Sequence, residues 1–356
     1  MVSKKPHSPS KEQSVPHKRN GKLLEDLDDD VQLVHKLENT LRAQKRHKMD
    51  SGVLGESPVL SGHVCAQKDP KNGTFSVSSS DAKSDEWNKE TEFYKSIDTK
   101  SFRQYDLACE RVKDFYNEQH EQQTVAYNIQ ARINFKSKVR AKMSVWEGLE
   151  KLNKLLDESD PDTELSQIDH ALQTAEAIRR DGKPRWMQLV GLIHDLGKLL
   201  YFFDSRGQWD VVGDTFPVGC KFSKKIIFCD SFRKNPDFAN PLYNTKFGIY
   251  SRKCGLDSVM LSWGHDEYMY HIAKKNSTLP PEALAMIRYH SFYPWHHQNA
   301  YRYLMNEDDH QMLEAVRSFN KYDLYSKADE RYNVEEIKPY YKELIDEFFP
   351  ERVIEF

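Results

Sequence analysis

The run Gly191-Leu-Ile-His-Asp-Leu-Gly-Lys198 sets a histidine and an aspartate side by side between apolar residues. Hydrophobic sequence seldom carries such a pair for packing alone, because a buried charge costs several kcal/mol unless it is paired or metal-bound. His194 and Asp195 therefore read as two ligands in a protected setting. Leu189, Val190, Leu192, Ile193 and Leu196 make the stretch 186–200 apolar on most sides, which predicts a central buried helix. Neighbours on a helix point about 100° apart. His194 and Asp195 reach a common site only if the carboxylate extends differently from the imidazole, as it does when it bridges two metals.

Four more candidate ligands lie elsewhere: His170 upstream, and His265, His290 and Asp323 downstream. Four imidazoles and two carboxylates suffice for two metal ions with open positions for substrate and oxygen. The donor set holds no thiolate, which suits iron better than zinc or a sulfide cluster. We assign Asp195 as the bridge, His170 and His194 to one iron, His265 and His290 to the other, and Asp323 to one of the two. Taken singly, each residue has a plainer reading. His170 is then a partly buried histidine, Asp323 a charge on a helix surface, and His265 either ligand or packing residue. His296 and His297, after Trp295, read as surface residues. Spacing alone leaves both the dinuclear site and these separate readings open.

The surrounding sequence is helical in pattern. Leu107, Val112, Phe115 and Tyr116 predict a helix over 106–117. Ser144-Val-Trp-Glu147 is a capping box opening a helix with Val145, Leu149, Leu152 and Leu156 on one face. Further helices are expected over 167–180, 256–274, 281–289 (after the tolerated Pro280-Pro281 start), 308–318 and 334–349. Strand signals are confined to 209–212 and 226–229. The expected class is mostly α, with a small β-hairpin.

Residues 1–98 differ in composition, dominated by Lys, Ser, Pro, Asp and Gly. Such a segment buries too little apolar surface to offset its chain entropy and is expected to be largely disordered. Leu27, Val31, Val34, Leu37 and Leu41 follow helical spacing there, giving an amphipathic helix near 25–45. The catalytic domain is expected over 99–356. Lys and Arg number 52 against 55 Asp and Glu, a net charge of −3, so no overall field draws the chain to nucleic acid or a membrane. No apolar run approaches a bilayer span, and the opening residues lack a signal-peptide core. Five cysteines without Cys-x-x-Cys spacing read as reduced thiols. The expectation is a cytoplasmic monomer.

His170-Ala-Leu-Gln-Thr-Ala-Glu176, the His194-Asp195 run, Val212-Gly-Asp-Thr-Phe-Pro-Val-Gly-Cys220, Ser262-Trp-Gly-His-Asp-Glu-Tyr268, Arg288-Tyr-His-Ser-Phe-Tyr-Pro-Trp-His296 and Phe319-Asn-Lys-Tyr-Asp-Leu-Tyr325 together resemble the myo-inositol oxygenase family, over roughly residues 100–356. The resemblance implies an HD-domain-like helical bundle. It also implies a mixed-valent Fe(II)/Fe(III) centre that cleaves myo-inositol to D-glucuronate with O₂ as co-substrate. Its ligands would be His170, His194, Asp195, His265, His290 and Asp323. Asp195 and Lys198 would be the catalytic residues. Arg103, Asp157, Glu158, Ser159, Lys198, Gly213, Asp214, His290, Ser291 and Lys327 would line the polyol pocket, with Arg103 closing it. Read without the resemblance, Lys198 and Lys327 are surface lysines at helix ends, and 157–159 is a solvated turn. Gly213 is expected to let the backbone approach the ligand closely. The competing function is an HD-domain metal-dependent phosphohydrolase, which would aim several cations at phosphate. Asp157 and Asp214 beside the lysines suit an uncharged polyol better. The resemblance assigns nothing to residues 1–98.

Overall fold

Capping chemistry written in the sequence starts four of the described helices. The computed structural model describes residues 86–88, 103, 105, 108–159, 166–325 and 332–356. Helices α1 (Glu110–Gln122) and α2 (Val125–Ser137) lead to strand β1 (Lys142–Met143) and α3 (Val145–Leu152). Helices α4 (Gln167–Arg180), α5 (Arg185–Ile193), α6 (His265–Asn276) and α7 (Pro281–Tyr289) follow. The short α8 (Tyr293–His296), α9 (Asp308–Tyr325), α10 (Val334–Phe348) and strand β2 (Ile354–Glu355) complete the order. Thr124, Ser144, Ser166 and Asn333 each accept a backbone N–H of the turn they open, and Ser144 with Glu147 forms the full capping box.

The core centres on α5, every residue of which from Met187 to Ile193 is buried. It packs against α4, α7, α9 and α10. Ala171, Leu172, Ala175 and Ile178 of α4 supply the facing apolar surface. The described chain is thus mostly helical, as its periodicity predicts.

Several local expectations are corrected. The helix expected over 186–200 is broken. Regular α-helix stops at Ile193, and a 3-10 turn, Leu196–Phe202, takes over after Asp195. A Cβ on Gly197 would overlap the His265 carbonyl oxygen, so only glycine lets this turn pass against the start of α6. The helix expected over 256–274 is likewise delayed. Only a 3-10 turn forms at Leu256–Ser258, because the next residues run extended beside 216–218 (Val218 N–H to Met260 O, 2.9 Å; Ser262 N–H to Phe216 O, 2.7 Å). The strands are not at 209–212 and 226–229. Residues 209–212 are buried with no partner strand, and the Val211 and Val212 N–H groups close a 3-10 turn onto Gln208 O at 2.9 and 3.0 Å. The two-stranded antiparallel sheet instead pairs Lys142 with Glu355 and Met143 with Ile354, joining segments remote in sequence. Leu156 lies beyond α3 and is 66% exposed, so it does not extend that helix's apolar face. Helix α1 begins four residues later than the expected 106, and α2 was not expected at all; only Val125, Asn128 and Ala131 of it are buried, too few to write a clear period.

The amphipathic helix near 25–45 and Lys327 lie outside the described residues. Trp87, assigned from composition to the extension, is 4% exposed within the main core, and its carbonyl accepts the Ser318 hydroxyl of α9 at 3.0 Å.

Candidate metal centre

Each candidate ligand sits where an element begins, ends or turns inward. His170 is in the first turns of α4, opened by the Ser166 cap. His194 is the C-cap of α5, and Asp195 (φ −90°, ψ −3°) stands in the break that follows. That break frees Asp195 from the helical progression, so both neighbours face one site. His265 is the first residue of α6, its N–H bonded to Val211 O at 2.7 Å. His290 is the C-cap of α7, and Asp323 lies on α9.

All six converge, with Asp195 shared between two histidine pairs. Asp195 Oδ2 lies 3.6 Å from His170 Nε2 and 3.5 Å from His194 Nε2, while Oδ1 lies 3.4 Å from His265 Nε2 and 3.6 Å from His290 Nε2. Asp323 joins the first pair, its Oδ1 3.2 Å from His170 Nε2 and 3.3 Å from His194 Nε2. All six side chains are buried or nearly so. Asp323, 8% exposed, is not a charge on a helix surface.

The donor chemistry fits a cation. His194, His265 and His290 each donate Nδ1–H to a backbone carbonyl (Gly191, 2.9 Å; Val211, 2.7 Å; Ile287, 2.9 Å). A neutral imidazole so bonded presents a bare Nε2 lone pair. Nε2 of His194 is buried without a hydrogen-bond partner. The bare nitrogens of these three and the carboxylate oxygens are acceptors, which repel at these spacings unless a positive charge lies between them. Donors roughly 3 Å apart are what an ion at about 2.1 Å from each would gather. Burial would raise the Asp195 carboxyl, but the Lys198 ammonium and the adjacent imidazoles hold it well below the usual range. Burial likewise opposes ionisation of Asp323, and its bonds to His170 and His194 hold it well down. Both remain anionic donors. Without a metal, burial would lower His290, but Asp266 and Asp195 push it up to about 9, another sign of a site that demands positive charge.

Several of the expected polyol-pocket residues lie beside this centre. Lys198 Nζ donates to Asp157 Oδ2 at 2.7 Å and to Asp195 Oδ2 at 2.9 Å; it is a buried ion-pair partner, not a surface lysine. Burial would lower its pKa, yet the two carboxylates raise it, so it stays an ammonium. Ser159 caps Asp157 through both N–H (2.8 Å) and Oγ–H (2.6 Å), so 157–159 is not a solvated loop. Glu158 is tied by its backbone N–H to Gln208 Oε1 at 2.9 Å. Arg103 clasps Asp214 at 2.7 and 3.0 Å and stacks 3.3 Å above the centre of the Tyr293 ring. Gly213 (φ +91°) makes a different close approach from the one expected: a Cβ there would meet Phe115 at 2.7 Å and Gln119 at 2.8 Å, so the crowding is by protein. Ser291 Oγ donates to Asp266 Oδ1 at 3.1 Å.

Four features were missed from sequence. Asp266, 2% exposed, faces His265 and His290. Glu267 and Arg288 form a buried bidentate pair two residues from each of those ligands. Tyr293 carries Arg103. His296 is buried, not on the surface, with Nε2–H bonded to His290 O at 2.8 Å, whereas His297 is exposed. Asp266 and Glu267 had a signal: two acids directly after a ligand histidine in an otherwise apolar segment.

A helical domain whose buried carboxylate faces two histidine pairs belongs to the class built to hold metal on imidazole and carboxylate. A family model for myo-inositol oxygenase matches residues 109–356. Inositol oxygenase 1 of Arabidopsis thaliana is 51% identical over 261 residues, spanning 71% of this chain and 84% of the relative. The inositol oxygenases of Dictyostelium discoideum and Homo sapiens are each 48% identical, over 260 and 258 residues, 71% of this chain and 89% and 90% of their own lengths. The chain belongs to the myo-inositol oxygenase family.

Proposed function

We infer that the protein is an inositol oxygenase, an enzyme that opens the inositol ring with O₂. The observation that carries the reading is the single carboxylate of Asp195 directed at both histidine pairs, in a chain about half identical to named inositol oxygenases. The cofactor would be a pair of irons in the Fe(II)/Fe(III) state, which His170, His194, Asp195, Asp323, His265 and His290 would hold. When bound, the pair supplies electron exchange with O₂ and Lewis acidity toward a substrate hydroxyl.

The chain's own residues bind and orient the polyol. An ammonium has three donors; Lys198 directs two at Asp157 and Asp195, and the third serves a substrate oxygen next to the bridge. Because Lys198 stays protonated, it holds its proton at Nζ and acts by hydrogen bonding. Ser291, beside His290, supplies a hydroxyl on the opposite side, and Asp214 with Arg103 and Tyr293 excludes water from the site. A neutral polyol needs many such partners to be held in one orientation. The phosphohydrolase reading is disfavoured because Arg103 and Lys198 already face carboxylates, leaving weak attraction for a phosphate.

The finer readings are D-glucuronate as product and a monomer working in the cytoplasm. No helix among the described residues is long and apolar enough to cross a membrane. The described cysteines are all free, which supports a reducing compartment. We keep an N-terminal extension and a catalytic domain; the burial of Trp87 supports a boundary upstream of that residue, not at 99. The test is O₂ uptake with myo-inositol by iron-loaded protein. We expect equimolar consumption, glucuronate as product and about two irons per chain. Phosphate release from a nucleotide without O₂ uptake would favour the competing reading.

A further inference from the structure

We propose that Asp266 is a positioning residue that fixes the Ser291 hydroxyl as a hydrogen-bond acceptor for the polyol at the His265/His290 side of the centre; this rests on the inositol-oxygenase reading. Asp266 follows His265 at the start of α6 and is 2% exposed. Its Oδ2 accepts the Thr215 hydroxyl at 2.8 Å, and its Oδ1 accepts the Ser291 hydroxyl at 3.1 Å. The Thr215 N–H in turn donates to Ser291 O at 2.9 Å, so loop 213–218 and the residue after His290 are locked around one carboxylate.

A serine hydroxyl has one hydrogen and two lone pairs. A carboxylate only accepts, so the Ser291 hydrogen is committed to Asp266 and its lone pairs are presented to the site. His265 Nδ1 donates to Val211 O, so Nε2, 2.7 Å from Asp266 Oδ1, has no hydrogen to give in the metal-ready tautomer. Ser291 is therefore the donor that Oδ1 receives. Its Oγ lies 3.4 Å from His265 Nε2, at the edge of the metal position. A ligand oxygen arriving there must bring its own hydrogen, which a polyol hydroxyl does.

Asp266→Asn keeps the volume but offers one acceptor oxygen and one donor group, which cannot receive both hydroxyls. With wild-type, Asp266→Asn, Ser291→Ala and the double variant, anaerobic calorimetry of myo-inositol binding to iron-loaded protein should show about tenfold weaker binding for Asp266→Asn. The double variant should bind no more weakly than Ser291→Ala, because the two act in series. In turnover the effect should fall on KM and leave kcat within about threefold. Iron content by elemental analysis should match wild type. Thr215→Val leaves the carboxylate but removes the hydroxyl that steadies it, and should weaken binding about threefold; it carries the test if Asp266→Asn does not fold. Unchanged binding in these variants, additive losses in the double variant, or loss of iron from Asp266→Asn (which would make it a ligand) each overturns the proposal. Wild-type protein that binds no inositol would instead sink the functional reading.

Discussion

The two halves of the candidate metal centre share one apolar core, but only the second adds a buried ion pair beside its ligands. His170 and His194 are carried by α4 and α5, which meet through Ala171, Leu172, Ala175, Ile178, Leu189, Leu192 and Ile193, all buried and apolar. His265 and His290 are carried by α6 and α7, which are joined beside the ligands by the Glu267–Arg288 pair, at 2.9 and 3.1 Å, with Arg132 3.4 Å from the same glutamate. The first half has a second carboxylate, Asp323. The second has only its share of Asp195 as an assigned anionic ligand, and next to it stands the Ser291 hydroxyl. Packing alone positions the first pair, which is hard to perturb locally, whereas the second pair has Met269, Ile272, Ala283 and Met286 in the core and directional polar contacts besides.

The shared residue should give the largest effect. Asp195→Asn removes the charge that serves both halves and one of the two anions around Lys198. We expect iron content to fall toward zero and kcat/KM to drop by more than about a hundredfold, beyond what an outer partner of a metal ligand costs. Asp323→Asn touches one half only and should empty that position first. Equal loss from both positions in Asp323→Asn, measured by Mössbauer spectroscopy and elemental analysis, would break the division into halves.

The first half was also the more legible in the sequence. The bounds of α4 were read correctly from the unbroken period of Ile168, Leu172, Ala175 and Ile178, and the structure starts it at a Ser166 cap. The central helix was found from Leu189, Val190, Leu192 and Ile193, but not its end at Ile193. Apolar periodicity runs on to Leu200, and the break is imposed by what Asp195 and Gly197 meet across the site, contacts no local window contains. The six ligands followed from the resemblance; spacing alone left them open. The polar supports of the second half went unseen for a related reason. Asp266, Glu267 and Arg288 find their distant partners at separations of 21 to 135 residues, and nothing in the sequence says which groups meet them. The strand signals failed because β-branched runs at 209–212 and 226–229 met no neighbouring strand, whereas the real pairing needs only two residues on each side.

Breaking the polar support should be the next largest effect, felt by one half. Glu267→Gln leaves Arg288 buried, with a side chain 6% exposed, and without its bidentate partner. Removal of one member of such a pair costs about 3–5 kcal/mol. We expect a drop in melting temperature together with weakened metal retention at the His265/His290 position, while the His170/His194 position keeps its ion. The pH dependence has a definite sign. Burial would raise the Glu267 carboxyl, but Arg288 and Arg132 hold it well below the usual range. A carboxyl depressed in the folded state contributes stability above its unfolded value of about 4.3, and loses it as pH falls below that toward the folded value. Wild type should therefore shed this contribution only in acid, and the stability gap to Glu267→Gln should narrow there. A gap unchanged between pH 7 and acid would mean that the pair is not what the variant lost.

Arg288 supplies the smallest and sharpest comparison within itself. Its NH1 also reaches Asp257 Oδ1 at 2.6 Å, shorter than either bond to Glu267, but the Asp257 side chain is 85% exposed. Distance alone would rank Asp257 first. Solvent reverses the order, because water screens the exposed pair and competes for the carboxylate, whereas the buried pair has no substitute partner. Asp257→Asn should cost less than about 1 kcal/mol and leave iron content unchanged. Denaturant melts of Asp257→Asn and Glu267→Gln at low and high salt decide the matter. A salt-sensitive loss confined to Asp257→Asn and a larger, salt-insensitive loss in Glu267→Gln would locate the restraint on His265 and His290 in the buried contact. Comparable losses in both would mean that the exposed carboxylate anchors Arg288, and that the second half is held from its surface.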